Sequence, residues 1–387
     1  MNKPFMRIPY TGPLPPPIII PSHANTSAGA ISALYNFLVA RSYGRPSRTV
    51  LLSGAGISVA SGLADYRGKD GTYTRNKAYR PIYYHEFLES HEARKRYWAR
   101  SFLGWPTLHH AKPNNAHWAV KKLGELGLLS SVITQNVDSF HPIAHPELST
   151  IELHGFLRSV VCVNCHAHMP RDDFQKSLAV LNPAWAEFLE ELLKTGALDT
   201  EDPVDRRKKG LQTNPDGDVD LPRAPYSTFR YPACPTCLTR PPKLENGRVA
   251  TVEVDSDGAW STASTAGVLK PAVIMFGESI SSEVKIAAEE AIDHSDRILI
   301  VGSSLATYSA WRLVKKAKDN GMPIGILNLG GVRGEDKFFE HINPDNKGEG
   351  AFRCNENAQD ILPEVVDKLQ SHTHTKASIP QIKAQAS

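Results

Sequence analysis

Three observations predict an α/β chain with a parallel sheet covered by helices, a smaller inserted metal-binding module and a helical lid segment. Short apolar runs at residues 49–52, 131–134, 272–276, 297–301 and 324–327 read as strands buried on both faces, as parallel sheets require. Amphipathic segments at 117–126, 281–292 and 309–318 separate most of them, which is strand-and-helix alternation with ligand at the carboxyl ends of the strands. Two Cys-x-x-Cys pairs, Cys162/Cys165 and Cys234/Cys237, then mark the inserted module.

Composition bounds the rest. A chain of 387 residues that is 41% hydrophobic and 22% charged can bury a large core. Its formal charge of +3 gives no electrostatic argument for nucleic acid or an anionic membrane as partner, and no apolar run reaches the length of a membrane span. Five cysteines, four of them paired at metal-ligand spacing, fit a reducing compartment better than a disulfide framework.

Residues 1–27 carry no Asp or Glu, and none occurs before Asp65, a bias that fits an organelle-targeting leader. Pro13, Pro15, Pro16 and Pro17 would break a targeting helix, so a flexible proline-rich arm is the other reading. Residues 28–40 follow with helical spacing and lead into the first strand. That strand ends in Gly54-Ala55-Gly56, whose glycines let backbone amides approach an anionic group, as a pyrophosphate requires. No glycine follows at the position that completes the usual dinucleotide fingerprint, which disfavours a hydride-transfer dehydrogenase. Residues 66–115 are rich in aromatic and basic side chains, and the helical run 91–102 is placed as a lid over the cofactor.

Thr134-Gln135-Asn136-Val137-Asp138-Ser139-Phe140-His141 puts amides and a carboxylate at a strand end, where hydrogen bonds could read a ribose and a carboxamide, or where an Asx-capped turn could form. His154 precedes the first cysteine pair, and an imidazole titrates near neutral pH, as a general base needs. Four cysteines close a tetrahedral zinc site and leave no position for water, so the predicted role is structural. His166 and His168 are competing ligands or solvated loop residues, and redox pairs are the alternative for the cysteines. The module spans about 155–267, with loop or disorder expected over much of 199–225 and 241–267. A disordered tail is expected over 371–387.

Gly54-Ala55-Gly56-Ile57-Ser58, Ser61-Gly62 and Asp65-Tyr66-Arg67 resemble the cofactor-loop signature of the sirtuins, and residues 134–141 resemble the second motif of that family. The resemblance runs from about 28 to 369. It is closest to the class II branch, of the mitochondrial sirtuin four type, through residues 96–100, 115–119, 180–183 and 215–219. It implies one catalytic domain over 28–370, with Rossmann-like parts at about 28–65, 116–154 and 268–370. It also implies an NAD-dependent protein-lysine deacylase of deacetylase or lipoamidase type, acting on acyl-lysine proteins and releasing nicotinamide and O-acyl-ADP-ribose. Mono-ADP-ribosyl transfer to protein is the alternative on the same fold.

The resemblance also implies roles. His154 is the base, with Asn136 and Asp138 holding carboxamide and ribose beside Gln135 and Val137. Gly54, Ala55, Gly56 and Ser58 face the phosphates, and Asp65, Tyr66 and Arg67 lie on the loop that closes over the cofactor. Gly302, Ser303, Ser304, Asn328, Leu329 and Gly330 hold the adenosine half. Cys354 lies near the adenine or is a spare buried thiol. Phe276, Gly277 and Glu278 pair with the substrate backbone. Tyr97 and Arg100 resemble the Tyr-x-x-Arg pair that selects acidic acyl groups, or they belong to an exposed helix face. The cofactors implied are NAD as co-substrate and one structural Zn2+. The implied location is the mitochondrial matrix, with cytoplasm or nucleus as alternatives. Two departures stand out: after the histidine the family usually continues with an Ala-Gly pair, whereas this chain has His141-Pro142-Ile143-Ala144-His145-Pro146, and residues 240–267 form an insertion.

Overall fold

Thr49–Ser53 is buried along its whole length, so it can only be an inner strand, and the computed structural model places it in the middle of the main sheet. The structure describes residues 5–42, 44–75, 77, 79–196, 212–213, 216–221, 223–344 and 346–377. Its principal strands are β1 (Thr49–Ser53), β2 (Leu129–Thr134), β3 (Thr150–Glu152), β4 (Gly155–Cys162), β5 (His168–Pro170), β6 (Leu269–Val273), β7 (Arg297–Val301), β8 (Ile324–Leu327) and β9 (Ala351–Cys354). Its principal helices are α1 (Ser27–Val39), α2 (His91–His110), α3 (Asn115–Glu125), α4 (Arg171–Leu181), α5 (Pro183–Lys194), α6 (Ser282–Asp293), α7 (Tyr308–Asp319) and α8 (Ala358–Ala377).

The main sheet is wholly parallel, in the order β9-β8-β7-β1-β2-β3. Side chains alternate across it. Leu51, Val132 and Leu299 pack with residues of α1, α3 and α8, whereas Val50, Leu52, Ile133 and Ile300 pack with residues of α6 and α7. Ser53 stands opposite Thr134 and Val301, and Val301 opposite Leu327. Four strands therefore end on one line, and the loops after them share one edge.

The second lobe surrounds the antiparallel sheet β6-β4-β5. Its core holds Trp98 and Phe102 of α2, Phe174 of α4, Phe229, Tyr231 and the cysteine pairs, with the Trp98 and Phe174 rings 4.5 Å apart. Two expectations are corrected here. The helical run 91–102, expected as a lid, is the spine of this lobe, because its aromatic face is buried and it runs on to His110. The apolar run 272–276, expected as a strand of the parallel sheet, instead contributes to the antiparallel edge strand β6. Pro271 lacks an N–H for an inner ladder, and the register shifts between Pro271 and Val273.

The termini differ from expectation as well. Residues 5–21, read as a flexible arm or leader, pack against the body: Phe5 and Ile20 are buried, and bridges join Met6 to Ser279, Pro9 to Thr307 and Ile20 to Arg353. The predicted disordered tail begins inside α8, which continues to Ala377, and residues 378–387 lie outside the described residues. So do 199–211, part of the expected loop. The insertion 240–267 is held to the second lobe by Trp260, which stacks on Tyr231 at 5.9 Å, and by ion pairs from Arg230 to Asp255 and Asp257.

Candidate active site

The aligned strand ends open a cleft of about 980 Å³, counted to its solvent-filled mouth. Its walls come from the loops after β1, β2, β7 and β8. They include Gly54, Ala55, Gly56 and Ser58, then Asp65, Tyr66 and Arg67, then Gln135, Asn136, Val137 and Asp138 with His154, and finally Gly302, Ser303, Ser304, Asn328, Leu329 and Gly330. The glycines have a steric reason to be there. A Cβ on Gly54 would lie 2.7 Å from the Ser303 Cβ, and one on Gly56 2.9 Å from the Gly302 Cα. Only bare backbone lets the first and third loops touch.

Polar side chains in the cleft are fixed by one another. Ser58 donates its hydroxyl to Asp138 Oδ2 at 2.7 Å and accepts from Asn136 Nδ2 at 3.0 Å, while Phe140 N donates to Asp138 Oδ1 at 2.9 Å. Burial raises the pKa of Asp138, and these donors oppose the shift. Gln135 is clamped between Ser303 Oγ at 2.7 Å and Thr307 Oγ1 at 3.0 Å. The backbone of the Asn328–Gly330 turn is held by a fully buried ion pair: Arg353 Nε lies 2.6 Å from Glu335 Oε1, and Arg353 also donates to Asn328 O at 2.8 Å and Gly330 O at 2.6 Å.

His154 lies on the cleft wall with 1% of its surface exposed. Its Nδ1 is 3.1 Å from Gln135 O, a carbonyl that can only accept, so Nδ1 carries the proton. Nε2 is then the basic nitrogen, and it accepts from Ser309 Oγ at 2.8 Å. Burial, and then the charge of Arg7, pushes the His154 pKa well below the ordinary value, which keeps the imidazole neutral at pH 7.

Several predicted residues lie elsewhere. Cys354 is fully buried in the core beneath α1, α3 and α8 and does not line the cleft. Of its two readings, the buried thiol is the one with contacts. Arg100 is buried and engaged by Asp218 at 2.6 Å and Asp220 at 3.9 Å, so it is neither an exposed helix face nor an open carboxylate clamp. Tyr97 packs edge-on against Phe87 and Trp98. Phe276, Gly277 and Glu278 lie outside the cleft wall. Residues absent from the expected set include Arg7 and Leu14 of the N-terminal segment, Leu108, Asp216 and Thr307, all in the wall, and Ser309 behind His154. An acid-free N-terminal segment containing one arginine was the available signal for Arg7.

The four paired cysteines converge. Cys162 Sγ is 3.6 Å from Cys237 Sγ, Cys165 Sγ is 3.6 Å from Cys234 Sγ, and all four sulfurs lie within 4.8 Å of one another. Zinc with ~2.3 Å bonds to sulfur sets tetrahedral edges of about 3.8 Å, so the cluster fits that ion. His168 bonds Ser159 instead, at 3.1 Å.

His145, part of the departure noted in the sequence, joins a buried histidine stack. His141 Nε2 is 2.8 Å from Ser53 Oγ, His141 Nδ1 is 2.8 Å from His145 Nε2, and the His117 ring is centred 5.1 Å from that of His141. Burial pushes His117 down to about 3 and His141 well below its ordinary value. Both are neutral in the fold, whereas unfolded histidines bind a proton below about pH 6.5. Stability is therefore full above that pH and falls as the pH drops, by about 1.4 kcal/mol for each such histidine at pH 5.5. The urea midpoint is expected to be lower at pH 5.5 than at 7.5, with a slope one proton shallower in His117→Gln. Equal midpoints at the two pH values would contradict neutral burial.

Comparison with known proteins places this geometry. A model of the Sir2 family matches residues 54–309. The chain is 39% identical over 322 residues, 82% of its length and 91% of the relative's, to NAD-dependent protein deacylase SIR4 of Batrachochytrium dendrobatidis. It is 36% identical to NAD-dependent protein deacylase SRT2 of Arabidopsis thaliana, over 78% of this chain and 71% of that one. It is 34% identical to the mitochondrial NAD-dependent protein lipoamidase sirtuin-4 of Bos taurus, over 75% and 76% of the two chains. Among solved structures, one described as the structural basis for the mechanism and regulation of Sir2 enzymes shares the fold, with a TM-score of 0.53 at 22% identity over 89% of this chain and 98% of that one. A family match across most of the cleft-bearing chain, together with relatives this similar over most of their length, makes this protein a member of the Sir2 family.

Proposed function

We propose that the protein is an NAD-dependent protein-lysine deacylase that releases nicotinamide, free lysine and O-acyl-ADP-ribose. The observation that carries the reading is His154: a buried neutral imidazole with its basic nitrogen assigned, set between the amide-and-carboxylate loop and the strand ends. The relatives named as deacylases and as a lipoamidase support it. The cleft fits NAD in the chemistry of its donors, which are hydroxyls, amides and the two arginines Arg7 and Arg67 around a glycine turn. Bound there, NAD supplies an electrophilic ribose carbon and a nicotinamide leaving group.

The chain's residues then divide the work. Gln135, Asn136 and Asp138 orient the carboxamide and ribose through groups already held in place by Ser58 and Ser303. His154 Nε2 takes a proton from a ribose hydroxyl in place of its bond to Ser309. Asp65, Tyr66 and Arg67 cover the cleft, and Cys162, Cys165, Cys234 and Cys237 would hold one structural zinc ion. With Arg100 tied to Asp218 and Asp216 in the cleft wall, acidic acyl groups meet carboxylates, so neutral acyl chains are the preferred substrates. Mitochondrial residence belongs to the same proposal, supported by the relative in cattle named as mitochondrial.

The test is a panel of acetyl-, long-chain-, lipoyl- and glutaryl-lysine peptides incubated with NAD, following nicotinamide, free lysine and ADP-ribosylated protein together. Nicotinamide that tracks free lysine, with glutaryl-lysine the poorest substrate, is the expected result. Nicotinamide accompanied by ADP-ribose on protein, with every peptide still acylated, would replace deacylation by ADP-ribosyl transfer.

A further inference from the structure

Residues 5–10 lie between two loops that border the cleft, with a tight turn at Arg7 where Ile8 N donates to Met6 O at 3.1 Å. On one side, Gly277 N donates to Arg7 O at 2.9 Å, Arg7 N to Glu278 O at 3.1 Å, and Ile280 N to Phe5 O at 2.8 Å. On the other, Tyr308 N donates to Ile8 O at 2.8 Å and Tyr10 N to Ala306 O at 2.6 Å. Both pairings are antiparallel, centred on Met6 with Ser279 and Pro9 with Thr307. The segment is thus held through main chain by two successive antiparallel bridges, residues 5–7 to one loop and residues 8–10 to the other.

One side chain of this segment enters the cleft wall. Ile8 is exposed, whereas Arg7 points inward and is 3% exposed. Arg7 Nη1 donates to Ile274 O at 3.0 Å and Nη2 to Tyr66 Oη at 3.2 Å, with Asp216 Oδ1 at 3.3 Å. The guanidinium sits 4.2 Å from the centre of the Phe276 ring. It shares the cleft wall with Asn136, Asp138 and His154.

A deacylase must hold an extended peptide by its backbone while one long, unbranched side chain reaches the reacting carbon. Residues 5–10 are likewise held through main chain, with an arginine where the acyl-lysine would be. Arg7 carries no acyl carbonyl, so it offers no oxygen to attack the ribose and cannot be turned over. We propose that residues 5–10 are an intramolecular pseudosubstrate: they fill the acyl-lysine peptide groove with Arg7 in the acyl-lysine channel, and a substrate peptide binds only when they are displaced. The inference rests on the deacylase reading. A tethered segment acts at an effective concentration of order mM, enough to compete with peptides at micromolar levels.

The test compares the full chain with a chain lacking residues 2–10 and with Arg7→Ala. Two readouts are used: anisotropy of a labelled acetyl-lysine peptide, which needs no turnover, and deacetylation kinetics with NAD. The shortened chain is expected to bind the peptide at least tenfold more tightly, and Arg7→Ala to bind it more tightly than the full chain. In kinetics, KM for the peptide should fall by a similar factor with kcat at saturating peptide nearly unchanged. A synthetic peptide of residues 2–12 should inhibit the shortened chain competitively with the acetyl-lysine peptide. Equal peptide affinity in all three proteins, weaker binding in the two variants, or failure of any of them to bind would overturn the proposal. Tighter binding by the shortened chain without nicotinamide release would leave the pseudosubstrate standing and remove the deacylase reading.

Discussion

His154→Asn is expected to lower kcat by about 10²–10⁴, the usual contribution of a positioned general base, while leaving NAD affinity within a few-fold of the parent. Asparagine is smaller than histidine, and its amide can still bond the Ser309 hydroxyl and the Gln135 carbonyl that hold the imidazole now. What it lacks is a nitrogen lone pair able to accept and keep a proton. The loss should therefore appear in turnover and not in folding or cofactor binding, equivalent to roughly 3–5 kcal/mol of transition-state stabilisation. Because burial keeps the imidazole neutral at pH 7, the parent activity should not rise between pH 7 and 8 on account of His154. Calorimetric titration with NAD and single-turnover nicotinamide release separate the two effects. Unchanged turnover in the variant would take His154 out of the chemistry.

Cys162→Ser is expected to abolish zinc binding at the four-cysteine cluster and unfold much of the second lobe. Structural zinc sites bind with apparent free energies on the order of 10 kcal/mol or more, and that binding energy is folding energy. Cys162 ends β4, the central strand of the small sheet, and its sulfur also accepts from Asn164 N at 3.4 Å. The damage should reach the cleft, because β4 follows His154 directly and His154 O accepts from Ile274 N at 2.7 Å. Metal analysis should fall from about one zinc per chain to near none, and limited proteolysis should cut first within residues 155–267. A variant that retains a full equivalent of zinc and resists the protease would exclude Cys162 as a ligand.

Much of this site was legible in local sequence. The runs at 297–301 and 324–327 are buried strands because their apolar residues are contiguous and short, and the structure starts and ends both at those residues. The loops after them carry the polar groups that parallel topology brings to one edge, which is why Gly54, Asn136, Ser303 and Asn328 meet across long separations. Cysteine spacing named the four-sulfur cluster for a similar reason: its geometry is encoded in two short knuckles. The run at 272–276 misled because apolarity does not state direction. The same residues suit a parallel inner strand or an antiparallel edge, and Pro271 decides between them.

Local sequence was enough for the strand ends, the four sulfurs and the histidine that stands on the cleft wall. The rest was decided by contacts between distant residues. Arg7 bonds a carbonyl 267 positions away and a carboxylate 209 positions away, and Arg100 is claimed by Asp218 and Asp220 across the second lobe. An arginine in a proline-rich segment has the same local pattern whether it is solvated or buried. Only the closing of backbone hydrogen bonds on both sides of residues 5–10, and the burial of charge against charge, selects between those states.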